Sequence, residues 1–178
     1  SSLMVQRCDD IDTVLAECQR VIKPEGLFYI ATLGPDTLKE IRQAWQVVDG
    51  DQEDNTAHVS PFMDMHDIGD ALSRAGFING VLDTEHIQLT YSDASKAIKD
   101  LKDIGATNAN RQGSGLTGKQ RWASFLAAYN AQANEEGRIS ATFEVVYAHA
   151  WATNTYGNSN ASGIAEIPVS AIKRWHGG

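Results

Sequence analysis

Apolar residues Ile11, Val14, Leu15, Cys18, Val21 and Ile22 recur three and four apart, which predicts a helix with Asp9 or Asp10 as its cap. Lys23-Pro24-Glu25-Gly26 stops that helix and turns the chain. LFYIATL, residues 27 to 33, is a continuous apolar run of strand length, the pattern of a strand buried on both faces. It points to a parallel sheet covered by helices. Pro35 suits the first position of the next helix, with Asp36 near the positive end of its dipole and Leu38, Ile41, Trp45 and Val48 as its apolar stripe. The acidic stretch DGDQEDNTAH then breaks all periodicity. It lacks the glycine and terminal glutamate spacing of an EF-hand, so it reads as a solvated loop.

Asp64 caps a further helix with Met65, Ile68, Leu72 and Ala75 on its inner face, ended by Gly76. In the strand from Val81 to Tyr91, Ile87, Leu89 and Tyr91 alternate with His86, Gln88 and Thr90. Ser92 opens a short helix carrying Ala94, Ile98 and Leu101, closed by Gly105. Thr117 and Gln120 have capping-box spacing before a helix striped by Trp122, Phe125, Leu126 and Tyr129. ATFEVVYAHAW, residues 141 to 151, has the β-branched and aromatic content of a strand. Beyond it, residues 152 to 178 are rich in Asn, Ser, Thr and Gly and read as a flexible tail. Three strands are few for a complete α/β domain of 178 residues, and the chain opens abruptly on SSLMVQRCDD. A missing N-terminal half explains both. An unpaired sheet edge and exposed core then favour self-association unless a partner covers them.

Composition narrows the function. With 42% hydrophobic and 21% charged residues the chain is an ordinary globular one, and its net charge of −8 argues against a general nucleic-acid binder. Cys8 and Cys18 are the two cysteines, too few for a disulfide or metal framework, and they suit a reducing compartment. No apolar run reaches membrane-spanning length, so the simplest address is the cytoplasm. GSGLTG, residues 113 to 118, matches G-x-G-x-x-G, but it follows the polar stretch ATNANRQ where a dinucleotide turn needs a strand. The dinucleotide reading fails on that context.

Several runs occur together in order: TLGPDTLKEIRQAW (32 to 45), SPFMDMHDIGDALSRAGF (60 to 77), LKDIGATNA (101 to 109), GLTGKQR (115 to 121) and ATFEVVYAHAW (141 to 151). They resemble the C-terminal half of the malonyl-acyl-carrier-protein O-methyltransferases of biotin synthesis. SSLMVQRCDD is similar to the family's segment after the fourth sheet strand, with Ser2 and Arg7 where Asn and Trp are usual. The resemblance implies an α/β fold: the C-terminal half of a Rossmann-like class I methyltransferase sheet, with a helical insertion between its last two strands. It implies a partial domain over residues 1 to 151, with 92 to 140 as the insertion on the substrate side. The cofactor implied is S-adenosylmethionine, whose glycine-rich motif belongs to the half not present here. The substrate partner implied is malonyl-acyl carrier protein. Methyltransferase-like assembly factors of respiratory complex I share the HVSPF and DIGDALSRAGF runs, which keeps a binding or assembly module open as an alternative. TLGPDT and QAWQ favour the biotin enzyme.

Methylating a carboxylate that is already ionised at neutral pH needs no general base, only alignment and the removal of water. The sequence matches this, since it offers no nucleophile and base pair. Ser1, Ser2 and Leu3 are the cofactor-side candidates, through the resemblance of the opening segment. Tyr91 and Trp151 end two strands and are candidates to line an acyl pocket; core or rim packing is their plainer role. His66, His86 and His149 are scattered without ligand spacing, and Arg42 lies on a polar helix face as a solvated cation. Between Asp103 and Glu135 there is no acidic residue, while Arg111, Lys119 and Arg121 are present. This cationic island beside a helix N-terminus is the candidate site for the phosphate-bearing arm of an acidic carrier, against the plainer reading of a solvated loop.

Overall fold

A computed structural model of the chain describes Leu3, Cys8 and residues 10–50, 58–59, 61–104 and 117–153. In order these form α1 (Ile11–Val21), β1 (Leu27–Leu33), α2 (Lys39–Asp49), α3 (Met65–Arg74), β2 (Phe77–Tyr91), α4 (Ala94–Asp103), α5 (Lys119–Asn130) and β3 (Ile139–Ala152). The caps read from sequence form at two helices. Asp10 accepts from the Thr13 amide (3.1 Å) and Asp64 from the His66 amide (2.7 Å). Asp93, one residue after the expected Ser92, accepts from the Lys96 amide (3.0 Å). Gly118 caps α5 with no side-chain bond, so the Thr117 and Gln120 capping box does not form.

β3 is the central strand, in the order β1-β3-β2. Both neighbours run antiparallel to it, with Phe28 opposite Ala150 and Leu82 opposite Ala148. This corrects the parallel sheet inferred from LFYIATL. The run is apolar throughout, but its two faces differ: Phe28 and Ile30 are buried whereas Leu27 and Tyr29 are 58% and 49% exposed. A continuous apolar run cannot by itself distinguish a covered face from an open one. β2 also begins earlier than Val81. Its pairing with β3 shifts register between Ile78 and Val81, where Asn79 adopts φ 53°.

One sheet face carries Phe28, Ile30, Phe77, Val146 and Ala148, which pack with Leu15 of α1 and with Ile68 and Leu72 of α3. Leu15, Ile30 and Ile68 are fully buried, each contributing about 1.5–3 kcal/mol by leaving water. Val21, counted on the apolar stripe of α1, points outward at 66% exposure. A second core joins Ile139 and Ala141 of β3 to Ile41 and Trp45 of α2, to Leu101 of α4 and to Phe125 and Tyr129 of α5. The helices between β2 and β3 therefore form a layer with α2 at one end of the sheet. No helix among the described residues is long and apolar enough to cross a membrane.

Candidate functional site

Ligands in open α/β sheets bind outside the carboxyl ends of strands, which directs attention to the end of β1. β1 stops at Leu33, yet β3 continues past it with an edge that still needs partners. Residues 34–40 supply them. The Gly34 amide donates to the Glu144 carbonyl (2.9 Å) and the Leu38 amide to the Thr142 carbonyl (2.6 Å). The Glu144 amide donates to Thr37 Oγ1 (3.1 Å), and the Thr142 amide to Glu40 Oε2 (3.1 Å). Thr142 Oγ1 also donates to Glu40 Oε1. This continuation of the ladder by backbone and side-chain groups delays the helix: α2 begins at Lys39, and Pro35 sits in the turn, not at the first helical position as expected.

The turn is closely braced. The Asp36 amide donates to Glu144 Oε2 (2.8 Å), and a Cβ at Gly34 would lie 2.5 Å from Glu144 Cδ. Leu38 adopts φ 56°, a left-handed conformation that costs a non-glycine residue about 1–2 kcal/mol, while its side chain is buried. Arg42, expected to be solvated, instead donates to the Thr37 carbonyl (2.7 Å) and to the Pro35 carbonyl. It satisfies two turn carbonyls that the late helix start leaves without intrahelical partners. Lys39 pairs with Asp36 (2.8 Å) and His86 lies 3.5 Å from the same carboxylate. Lys39, with His86 in support, holds the Asp36 carboxyl below the usual carboxylate range.

The helical layer carries a second polar cluster. Arg121 of α5 meets Asp49, the last residue of α2, through Nε–Oδ1 (2.9 Å) and Nη2–Oδ2 (2.7 Å). His58 Nε2 lies 3.0 Å from Asp49 Oδ2, and its ring stacks on Trp45 at 3.7 Å and 5°. The Arg121 guanidinium lies 5.6 Å from the Trp45 ring centre, and Lys102 Nζ lies 5.5 Å from that of Trp122. Lys102 and Lys119 have no carboxylate partner among the described residues. Glu144 and Lys102 escaped the sequence reading, whereas Asp49 and His58 bound the stretch 49–58 read there as a solvated loop. α2 instead ends on Asp49, and the two side chains are only 14% and 17% exposed because they pair with each other and Asp49 with Arg121. Glu144 carried a signal, a carboxylate inside an apolar strand; Asp49 and His58 are joined only by the fold.

The sequence-derived candidates are dispersed. Leu3 lies beside β1, its amide donating to the Ala31 carbonyl (2.8 Å), while Ser1, Ser2 and Arg111 are outside the described residues. Residues 113–116 of GSGLTG, the acidic stretch 51–57 and the tail from 154 are outside them too. Tyr91 pairs with Ile139 at one end of β3 and Trp151 with Leu27 at the other, so the two aromatics do not share a pocket. Tyr91 borders the helical layer, and burial pushes its phenol up. Lys119 opens α5 and is exposed; Arg121, two residues on, is committed to Asp49. His66 pairs with Asp64 (2.7 Å), and His149 meets Trp151 edge-on at 5.3 Å.

Comparison with known proteins bears out the resemblance carried by the quoted runs. The chain is 51% identical over 152 residues, 85% of its length, to a malonyl-[acyl-carrier protein] O-methyltransferase of Laribacter hongkongensis, of which it covers 49%. It is 41% identical over 177 residues to malonyl-[acyl-carrier protein] O-methyltransferase 1 of Coxiella burnetii, covering 98% of this chain and 60% of that one. The chain thus spans about half the length of the curated relatives it matches. A solved structure from Bacillus halodurans, itself only provisionally assigned as a methyltransferase, aligns with TM-score 0.51 at 13% identity, over 85% of this chain and 67% of that one. That likeness concerns the fold, and it agrees with an α/β methyltransferase sheet present in part. No family profile matches the chain.

Proposed function

We propose that this chain is the substrate-side part of an S-adenosylmethionine-dependent enzyme of the cytoplasm that methylates the free carboxylate of malonyl-acyl carrier protein. The observation that carries the reading is the 51% identity over 152 residues to the Laribacter hongkongensis enzyme. The described residues do not fit the cofactor unaided. They contain no glycine-rich strand-to-helix turn, and the concave surface they form is a shallow one on an open sheet face. The cofactor, which supplies the methyl group, is accordingly held mainly by the half this chain does not span. Ser1, Ser2 and Leu3 border it from this side.

The work left to this chain is to bring an ionised carboxylate to the methyl donor and exclude water, which requires rigid positioning and no proton transfer. The braced turn 34–38 supplies a fixed floor at the carboxyl end of β1. Lys102 and Lys119, with Arg111, attract the acidic carrier and its phosphate-bearing arm, and Tyr91 borders the acyl path. Arg121 acts less directly, by fixing α5 against α2. Charge on such a surface acts mainly on encounter and specificity.

The test joins this chain to the missing half taken from the Laribacter hongkongensis relative and measures methyl transfer to malonyl-acyl carrier protein. Activity is expected, and changing Arg111, Lys102 and Lys119 together to Glu lowers kcat/KM for the carrier form at least tenfold. The coenzyme A thioester is less affected. A folded hybrid without transfer to any malonyl thioester overturns the reading. An equal effect on both substrates, or none, removes the carrier surface from it.

A further inference from the structure

Trp122 of α5 is half-buried. Its ring lies 5.2 Å from that of Phe125 and 6.3 Å from that of Trp45, and Lys102 Nζ of α4 stands 5.5 Å from its centre. Lys119 comes three positions before Trp122, which puts the two side chains on one helix face, a turn apart. The neighbouring cations are committed: Lys96 to Asp93, Lys99 to Asp103 and Arg121 to Asp49. Asp100, the other acid of α4, acts on Tyr91 and Lys99. Lys102 and Lys119 are exposed and have no carboxylate partner among the described residues, and the first turn of α5 carries no acid. The Trp122 indole N–H donates to no described residue either, and it is not sealed from solvent. Uncommitted positive charge thus gathers around one aromatic plane that has a free donor.

We infer that this cluster seats the pantetheine arm of the carrier, with its phosphate on Lys102 and Lys119 and its dimethyl group and first amide against the Trp122 indole. Three observations select that ligand. Two ammonium groups without carboxylate partners suit a phosphate dianion. An aromatic plane with one free N–H suits the next part of the arm, which is apolar on one side and carries an amide. The cluster also belongs to the helical layer that Tyr91 borders, at the end of the sheet where β1 stops, so an arm held here extends toward that end. A nucleic acid, which also stacks on aromatics, is disfavoured by the net charge of −8. The inference rests on the proposed function and deepens it: there Lys102 and Lys119 draw the carrier in, and here Trp122 sets where its arm lies.

Indole N–H resonances of the full chain, with that of Trp122 assigned through Trp122→Phe, read binding without turnover. The expected result is a shift of the Trp122 signal on titration with 4′-phosphopantetheine. Lys102→Met, which removes the ammonium and keeps an apolar stem, weakens that binding several-fold. The carrier protein bearing its arm binds more tightly than the arm itself, and coenzyme A, which bears the same arm, does not. In the hybrid with the Laribacter hongkongensis half, the kcat/KM preference for malonyl-coenzyme A over malonyl-N-acetylcysteamine, which lacks the phosphate and dimethyl unit, is the second readout. It falls several-fold in Lys102→Met and in Trp122→Leu, through KM and not kcat. An unmoved Trp122 signal, a shift that inorganic phosphate alone reproduces, or a preference unchanged in both variants overturns the inference. So does coenzyme A binding far more tightly than the carrier, because it gives the cluster to the nucleotide. Arm binding by a hybrid that transfers no methyl group sinks the proposed activity and leaves the arm site standing.

Discussion

Arg121 and Asp49, seventy-two residues apart in sequence, meet in a two-point ion pair that ties α5 to the end of α2. Asp49 is 14% exposed and Arg121 49%, so solvent screens the pair from one side. Arg121→Ala is expected to cost about 1 kcal/mol, the upper part of the range for partly exposed pairs, and Arg121→Glu more, by repulsion. Urea denaturation with a double-mutant cycle on Asp49 checks this. A coupling energy indistinguishable from zero would show that the contact does not stabilise the layer.

Arg121 first, and His58 after it, hold the Asp49 carboxyl below the usual carboxylate range. A carboxyl lowered on folding contributes stability above its unfolded value, near pH 3.9, and loses it as pH falls through the folded value. The stability gap between the wild-type chain and Asp49→Asn is therefore expected to be full at pH 7 and to close below about pH 4. Urea midpoints measured from pH 7 to pH 3 decide it; a gap independent of pH would contradict the assigned cause.

At Gly34 an added Cβ would meet Glu144 at 2.5 Å, and Glu144 also holds the Asp36 amide. Gly34→Ala is expected to cost about 1–3 kcal/mol through overpacking. Shortening the carboxylate with Glu144→Asp in the same chain should recover part of that loss, since the two sites touch. A Gly34→Ala chain with an unchanged denaturation midpoint counts against the close approach.

The chain alone is expected to take up no S-adenosylmethionine in the micromolar range. Its described residues contain no glycine-rich turn between strand and helix, and it spans about half the length of its curated relatives. Isothermal titration of the purified chain is the measurement. Clear micromolar binding would place the cofactor determinants in these residues after all.

Helix spacing was the most readable part of the sequence, because Ile68 and Leu72, or Phe125 and Tyr129, recur at the period that one buried face demands. β1 was readable to the residue, but its pairing direction was not: LFYIATL records apolarity and not what covers it. The strand read from Val81 begins at Phe77, beyond a register shift that hides the start of its pairing from the sequence. The site was less legible. Arg121 was visible as a cation, but the carboxylate that engages it becomes a neighbour only through folding. Arg42 was misjudged because its partners are backbone carbonyls, which every sequence contains and none displays.

The stretch from Gly34 to Glu40 also works as a ruler. Its first amide is fastened to Glu144 and its last side chain to Thr142, two residues apart on β3. Lengthening the stretch by one residue would force one attachment to slip to a position facing the opposite side of the sheet. The chain therefore has no slack here, and its length is as much a part of the design as its chemistry.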